Sequence, residues 1–294
     1  MPNPFSEEPY PDAEEQELVE RAREGDKGAL ERLIRAHQAW IYNIAVRMLH
    51  DPDEAADATM EALLKAITRL STFRGNSAFR TWLYRIVVNH VLNMKKGKVE
   101  GMVTTFTDFG TTLEQLEDAG LTQRHSVPAD FDLMVEDTRI SCMTGMLLCL
   151  DREQRLVYVL GELFGVTDRV GAGLLELSPA NFRQRLARAR RDLHSFMNDR
   201  CGLINKSNPC RCARKTRVFI DKGIVDPQNL QFARRHVETV SQVSSRRVRQ
   251  YGDEVEPRYA DLYREHPFQE SPDYVASLER MLGERDFTEL FDLN

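Results

Sequence analysis

From Glu15 to about Lys96 the chain shows no strand-like alternation of useful length, while apolar residues return at three- and four-residue steps. That pattern restricts the stretch to packed amphipathic helices. Leu18, Ala22, Leu30, Leu33, Ile34, Ile41, Ile44, Ala45 and Met48 supply the apolar stripe. Asp51-Pro52-Asp53 marks a break and a restart, with Asp51 as cap and Pro52 in the first turn. In the next helix Ala56, Met60, Leu63, Leu64 and Ile67 form an inner row. Asp53, Asp57 and Glu61 fall at i, i+4 and i+8, and therefore share one face. Like charges four apart repel. The row is either a set of acids favouring early helical turns or a docking stripe for a basic partner surface.

The segment from Phe73 to His90 interleaves aromatic and basic residues. Gly75 permits a loop, and Ser77 can cap the helix carrying Trp82 and Tyr84. Rings among Arg74, Arg80, Arg85, Lys95, Lys96 and Lys98 suit unstacked single-stranded bases, because rings stack on bases while cations hold phosphates. Trp82, between Phe79 and Ile86, reads as core. For Tyr84 and Asn89, spacing leaves exposure and burial both open.

A second constellation lies at 178–191. Ser178 is an N-cap residue type and Pro179 suits the first helical position. Phe182, Leu186, Ala189 and Leu193 make a buried face, and Asn181, Arg183, Gln184, Arg188 and Arg191 occupy the opposite one. Arg matches guanine edges and phosphates, and Asn or Gln matches adenine edges. With the short helix expected over 167–177, this reads as a helix-turn-helix whose second helix enters the major groove.

The net charge of −6 is segregated. Acids dominate 7–31 and 253–294, whereas Arg and Lys dominate 183–217. An acidic total with basic islands suits a protein that binds DNA with a partner's help. No apolar run is long enough to span a bilayer, and no charged-then-apolar leader precedes Asp12, so no membrane insertion and a cytoplasmic location are expected. Five cysteines, an odd number, argue against a disulfide framework.

Three segments occur in the order seen in one family: Asp53 to Lys65, Phe73-Arg74-Gly75 with Thr81 to Ile86 and Asn89, and Asp151-Arg152-Glu153-Gln154-Arg155 followed by Ser178 to Arg190. Residues 16–96 resemble the promoter-melting domain of bacterial RNA polymerase sigma factors, and 150–194 resemble their second DNA-binding domain. Having only these two domains resembles the extracytoplasmic-function class. The resemblance implies a non-enzymatic initiation factor whose partners are core RNA polymerase (clamp and flap), promoter DNA as duplex and as melted non-template strand, and an anti-sigma protein. It implies that Asp53, Asp57 and Glu61 dock on the clamp. It also implies that Phe73, Tyr84 and Asn89 capture −10 bases beside Arg80, Arg85, Lys95 and Lys96, and that Asn181, Arg183, Gln184 and Arg188 face the −35 element. One departure stands at Glu176, where relatives commonly have Gly in the turn; Gly171 and Gly173 fall instead in the preceding helix.

The expected fold is all-α. A disordered acidic terminus (1–14) precedes a helical domain (15–97), a mostly irregular linker (98–138) and the helix-turn-helix domain (139–197); an extension (198–294) follows. About 40 residues of linker average roughly 35 Å as coil and stretch beyond 100 Å, against roughly 58 Å between promoter elements some 17 base pairs apart. In the extension, Cys201, Cys210 and Cys212, with His194 upstream, have the composition of a four-ligand Zn2+ site. Flanking Arg and Lys also allow reactive low-pKa thiols, and unligated cysteines are the third reading. Cys142 and Cys149 read as core. Helices are expected at 227–251, 257–266 and 272–284, together forming a built-in regulator that covers a polymerase-binding surface. Other functions open to this chain are a polymerase-independent helix-turn-helix regulator and a metal or redox protein centred on 194–236.

Overall fold

A computed structural model describes residues 4–5, 12–102, 105–115, 131–232, 257–264, 266 and 268–280. Among them the regular elements are helices, and no strand occurs. In chain order they are α1 (Asp12–Arg23), α2 (Lys27–Leu49), α3 (Pro52–Thr68), α4 (Phe79–Asn93), α5 (Lys98–Met102), α6 (Phe106–Gln115), α7 (Phe131–Leu147), α8 (Arg152–Tyr158), α9 (Asp168–Leu175), α10 (Pro179–Arg200), α11 (Cys212–Asp221), α12 (Pro257–Arg264) and α13 (274–280). A π-type turn at Val159–Leu163 continues α8.

Side-chain caps set the helix starts. Asp26 accepts from the Ala29 N–H (3.1 Å), Asp51 from Asp53 and Glu54 (2.9 and 3.0 Å), and Asp151 from Gln154 (2.8 Å). Each satisfies donors that the first helical turn leaves without intrahelical partners. Pro52 and Pro179 occupy first-turn positions, as the sequence suggested.

α1, α2, α3 and α4 pack as one bundle, and α8 to α10 as a second body. The inner face of α3 differs from the expected row. Ala55, Ala58, Ala62 and Ala66 are buried with Leu63 and Ile67, while Ala56, Met60 and Leu64 are half-buried. Small side chains on that face let α3 lie close to α2.

The two bodies do not stand apart. A continuous apolar cluster runs through both. The Trp40 ring of α2 meets Phe164, which follows the π turn, at 5.3 Å between centroids, and meets Phe268 at 5.0 Å. Every residue from Ala39 to Leu49 is buried, Asn43 and Arg47 included, so the second half of α2 is enclosed all round. Beside this core, Glu100 of α5 is buried between two guanidiniums of α8. Arg152 donates to it at 2.8 and 2.5 Å, and Arg155 at 3.0 Å. Arg155 also donates to the carbonyls of Leu147, Leu148, Leu150 and Met48. Burial alone raises a carboxyl pKa, but the two guanidiniums outweigh it and hold Glu100 below the ordinary range.

Several expectations are corrected. The linker is not mostly irregular where it is described: 98–102 and 106–115 are helical, and α7 begins at Phe131. Gly110 sits inside α6, where an added Cβ would lie 3.3 Å from the Phe196 ring, so it permits a close approach instead of a loop. In the terminus expected to be disordered, helix begins at Asp12, and Phe5 is buried against Trp40 and Tyr84 at 5.7 and 4.7 Å. Residues 226–232 form turns where a helix was expected, and 233–251 lie outside the described residues. The two later helices, α12 and α13, are present at 257–264 and 274–280, the second beginning two residues later than expected, and 265 and 281–284 lie outside the described residues.

Candidate nucleic-acid interface

Asp53, Asp57 and Glu61 are all exposed along α3. They form an acidic row that nothing in the described chain covers, apart from Glu61, whose Oε2 lies 3.5 Å from His90 Nε2. The His90 pKa is pushed down, first by burial and then by the Lys65 ammonium, so the row's neighbour is a neutral ring.

α4 carries the single-strand candidates and begins without a side-chain cap; Ser77 does not fill that role. Asn89, Lys95 and Lys96 are exposed at its C-terminal end and just beyond. At its other end the rings are covered in this arrangement. Phe73 is buried edge-on against Phe79 at 5.7 Å, and Tyr84 is only 1% exposed. Tyr84 lies beneath Phe5 and beside His37. Neither ring can stack on a base in this arrangement. Trp82, read as core, is half-buried against Phe73 and Phe79.

The cover on α4 comes from the other body. α9 packs across it, and Arg85 Nε donates to the Gly173 carbonyl at 2.9 Å. Arg80, Thr81, Tyr84, Val170 and Leu174 line one cleft with Pro4 and Phe5. Gly173 was not singled out as an interface residue, and its pairing with Arg85 across 88 positions left no local signal.

The helix-turn-helix is formed. Thr167 caps α9 through the Val170 N–H at 3.3 Å, and Ser178 caps α10 through the Asn181 N–H at 3.2 Å. Between them Glu176 takes φ +55°, the left-handed conformation that the expected glycine would adopt without strain. Gly171 explains itself: an added Cβ would stand 2.3 Å from the Phe182 ring, so α9 and α10 meet only because that position is bare. Asn181, Arg183, Gln184 and Arg188 are exposed along α10. Arg183 pairs with Asp168 in a solvent-exposed contact. Such pairs contribute about 0–1 kcal/mol, so a phosphate can replace the aspartate.

The cysteine cluster does not assemble with His194. That ring stacks on Tyr259 at 4.1 Å, with its Nε2 3.5 Å from the Tyr158 hydroxyl. Burial, then the Arg190 charge, lowers its pKa to about 4. Among the described residues no three His, Cys, Asp or Glu side chains are placed to hold a metal ion. None of the five cysteines forms a disulfide. Burial and the neighbouring Cys201 and Cys210 thiols push Cys212 up to about 12, the reverse of the low-pKa thiol expected from flanking cations. What 201–211 visibly does is close the end of α10. Asn205 and Asn208 donate to the Asn198 carbonyl at 3.3 and 2.8 Å, satisfying an acceptor the helix end leaves open. Gly202 is required there, since its Cβ would sit 2.1 Å from the Cys210 oxygen.

Among the described residues no helix is long and apolar enough to cross a membrane. The Sigma-70 region 2 family model matches residues 33–99, a span from within α2 to the start of α5. The RNA polymerase sigma-H factor of Pseudomonas aeruginosa is 31% identical over 182 residues, covering 60% of this chain and 90% of that protein. The ECF RNA polymerase sigma-E factor of Escherichia coli K12 is 31% identical over 176 residues, with the same two shares. The protein of that name from Salmonella typhimurium LT2 gives the same figures.

Proposed function

This chain belongs to the extracytoplasmic-function class of the sigma-70 family, and from that membership we propose that it docks on core RNA polymerase through Asp53, Asp57 and Glu61 and directs initiation at promoters carrying −10 and −35 elements. The observation that carries the reading is one chain holding an uncovered acidic row on α3, a basic end on α4 and a capped helix-turn-helix. The row offers charge complementarity to a basic clamp surface, which speeds and orients docking. Asn89, Lys95 and Lys96, with Arg80, Arg85, Phe73 and Tyr84 once uncovered, hold the melted non-template strand by stacking and phosphate contacts. Asn181, Arg183, Gln184 and Arg188 read duplex edges at −35 while α10 lies in the major groove.

No bond changes in this work; the chain contributes specificity, and strand separation is shared with polymerase. The reading requires no cofactor and makes no use of Zn2+ at Cys201, Cys210 or Cys212. Residues 198–294 act as a regulatory extension, and an anti-sigma protein is a compatible partner for the same surfaces.

Run-off transcription on genomic fragments, with core polymerase and this chain, tests the proposal. New start sites are expected with the wild type, and loss of polymerase binding with Asp57→Lys. The fully exposed recognition face of α10 favours one other reading, a free-standing helix-turn-helix regulator. Specific duplex shifts without polymerase, and no new start sites with it, would select that reading.

A further inference from the structure

We propose that residues 257–264 and 268–280 form an intramolecular clasp that holds the helix-turn-helix body against α4, masking the −10 surface while leaving the acidic polymerase row open. The proposal rests on the promoter-recognition role above and specifies how it is held in check.

The clasp touches both bodies with buried groups. On the α2 side, Asn43 Nδ2 donates to the Gln269 carbonyl at 2.8 Å, and the Gln269 N–H donates to Asn43 Oδ1 at 2.9 Å. The Tyr274 N–H reaches Gln38 at 3.2 Å, Arg35 pairs with Asp273 at 3.3 Å, and Val275 and Leu278 are buried. On the other side, Arg264 donates to the Glu162 carbonyl at 3.0 and 3.1 Å and to its carboxylate at 3.2 Å. The Tyr263 hydroxyl ties the clasp to α7 as well, donating to the Met143 carbonyl at 3.0 Å. Phe268 sits at the junction, 5.0 Å from Trp40 and 6.5 Å from Phe164, so one ring contacts a side chain of each body.

This arrangement departs from the cover expected of the extension. Asp53, Asp57 and Glu61 remain exposed. What α9 takes up is the Arg85 guanidinium, engaged by the Gly173 carbonyl, and the side of Tyr84 that shares a cleft with Val170 and Leu174. A neutral carbonyl is a weaker partner for Arg85 than a phosphate, which adds an opposite charge and can accept two parallel bonds from the guanidinium. The closed state is therefore built to yield to DNA once the clasp lets go. A surface open only a fraction of the time binds with an affinity reduced by that fraction. Tying both bodies to one strap keeps that fraction small through high effective concentration.

The test uses the full chain. Phe268→Ala removes the junction ring, and Gln269→Ala combined with Arg264→Ala removes the buried hydrogen bonds. Asp273→Arg reverses an exposed charge, and adding Arg35→Asp restores the pair with the signs exchanged. Three readouts are taken: small-angle scattering, anisotropy of a labelled random-sequence 20-nucleotide DNA strand, and binding to purified core polymerase. A compact chain of this length has a radius of gyration of about 19 Å. The clasp variants should expand by several ångströms beyond that compact radius. They should bind the strand at least tenfold more tightly and bind polymerase within twofold of wild type. Asp273→Arg should move the same way, and the double exchange should recover part of that shift, because Asp273 also accepts from the Ala276 N–H at 3.1 Å and Arg cannot; no recovery at all counts against the clasp. If Phe268→Ala fails to fold, the exposed charge exchange decides. Expansion without tighter strand binding overturns the masking, as does an unchanged radius in every variant. Absence of polymerase binding in wild type and variants alike overturns the promoter-recognition role instead, while scattering still judges the clasp.

Discussion

Replacing Glu100 by Gln isolates the polar joint between α5 and α8. The carboxylate is 2% exposed, as is Arg155, whereas Arg152 is 15% exposed. Removing one member of a buried ion pair typically costs 3–5 kcal/mol, because the remaining charge is left without compensation. Here two guanidiniums lose their anion, but Arg155 keeps four carbonyl acceptors and Gln retains a neutral oxygen. The lower end of that range, about 3 kcal/mol, is expected at pH 7. Urea unfolding followed by circular dichroism measures it as a fall in the midpoint. The pH dependence gives a second reading. Glu100 has a folded pKa below its unfolded value, so its contribution is complete above the unfolded pKa and disappears as pH falls through the folded one. The gap between wild type and E100Q should therefore narrow on acidification below about pH 4.5. A gap under about 0.5 kcal/mol at pH 7, or one equally wide at pH 3, would refute the view of Glu100 as a charged joint.

His194, with a folded pKa of about 4, behaves oppositely in sign of charge but not in direction with pH. The unfolded state binds the extra proton between pH 6.5 and 4, so stability is complete above 6.5 and is lost as pH falls towards 4, by at most about 3 kcal/mol. His194→Gln should flatten that part of a melting-temperature profile, and an unchanged slope would sink the assignment. Glu176→Gly should stabilise the helix-turn-helix by about 0.5–1 kcal/mol, since an exposed non-glycine residue at φ +55° is strained. Thermal melts check this, and a lower midpoint would mean that Glu176 contributes a contact worth more than the strain.

The helices and their caps were legible because they depend on neighbours three or four residues away. Asp51 and Ser178 need only the amides that follow them. The recognition face of α10 was legible for the same reason. Spacing assigned Tyr84 a face but could not say what lies on that face, because its cover comes from Phe5 and from α9, some ninety residues away. His194 was drawn to the thiols by proximity in sequence, whereas Tyr158 and Tyr259 hold it in space. A signal for the tail's seat was present in α2. Ala39 to Leu49 is apolar nearly all round, and its two polar interruptions, Asn43 and Arg47, are buried as well. A helix of that composition needs partners on every side, and the first hundred residues supply too few of them.

The junction of Trp40 with Phe268 also has a bearing on time. Asn43 and Gln269 bond across 226 positions, so at about 5–20 residues per second a ribosome needs roughly 10 to 45 s between making one and the other. For that interval the newborn chain has its first bundle without its last seal. Each molecule therefore begins life ajar, and how quickly translation finishes sets how long it stays so.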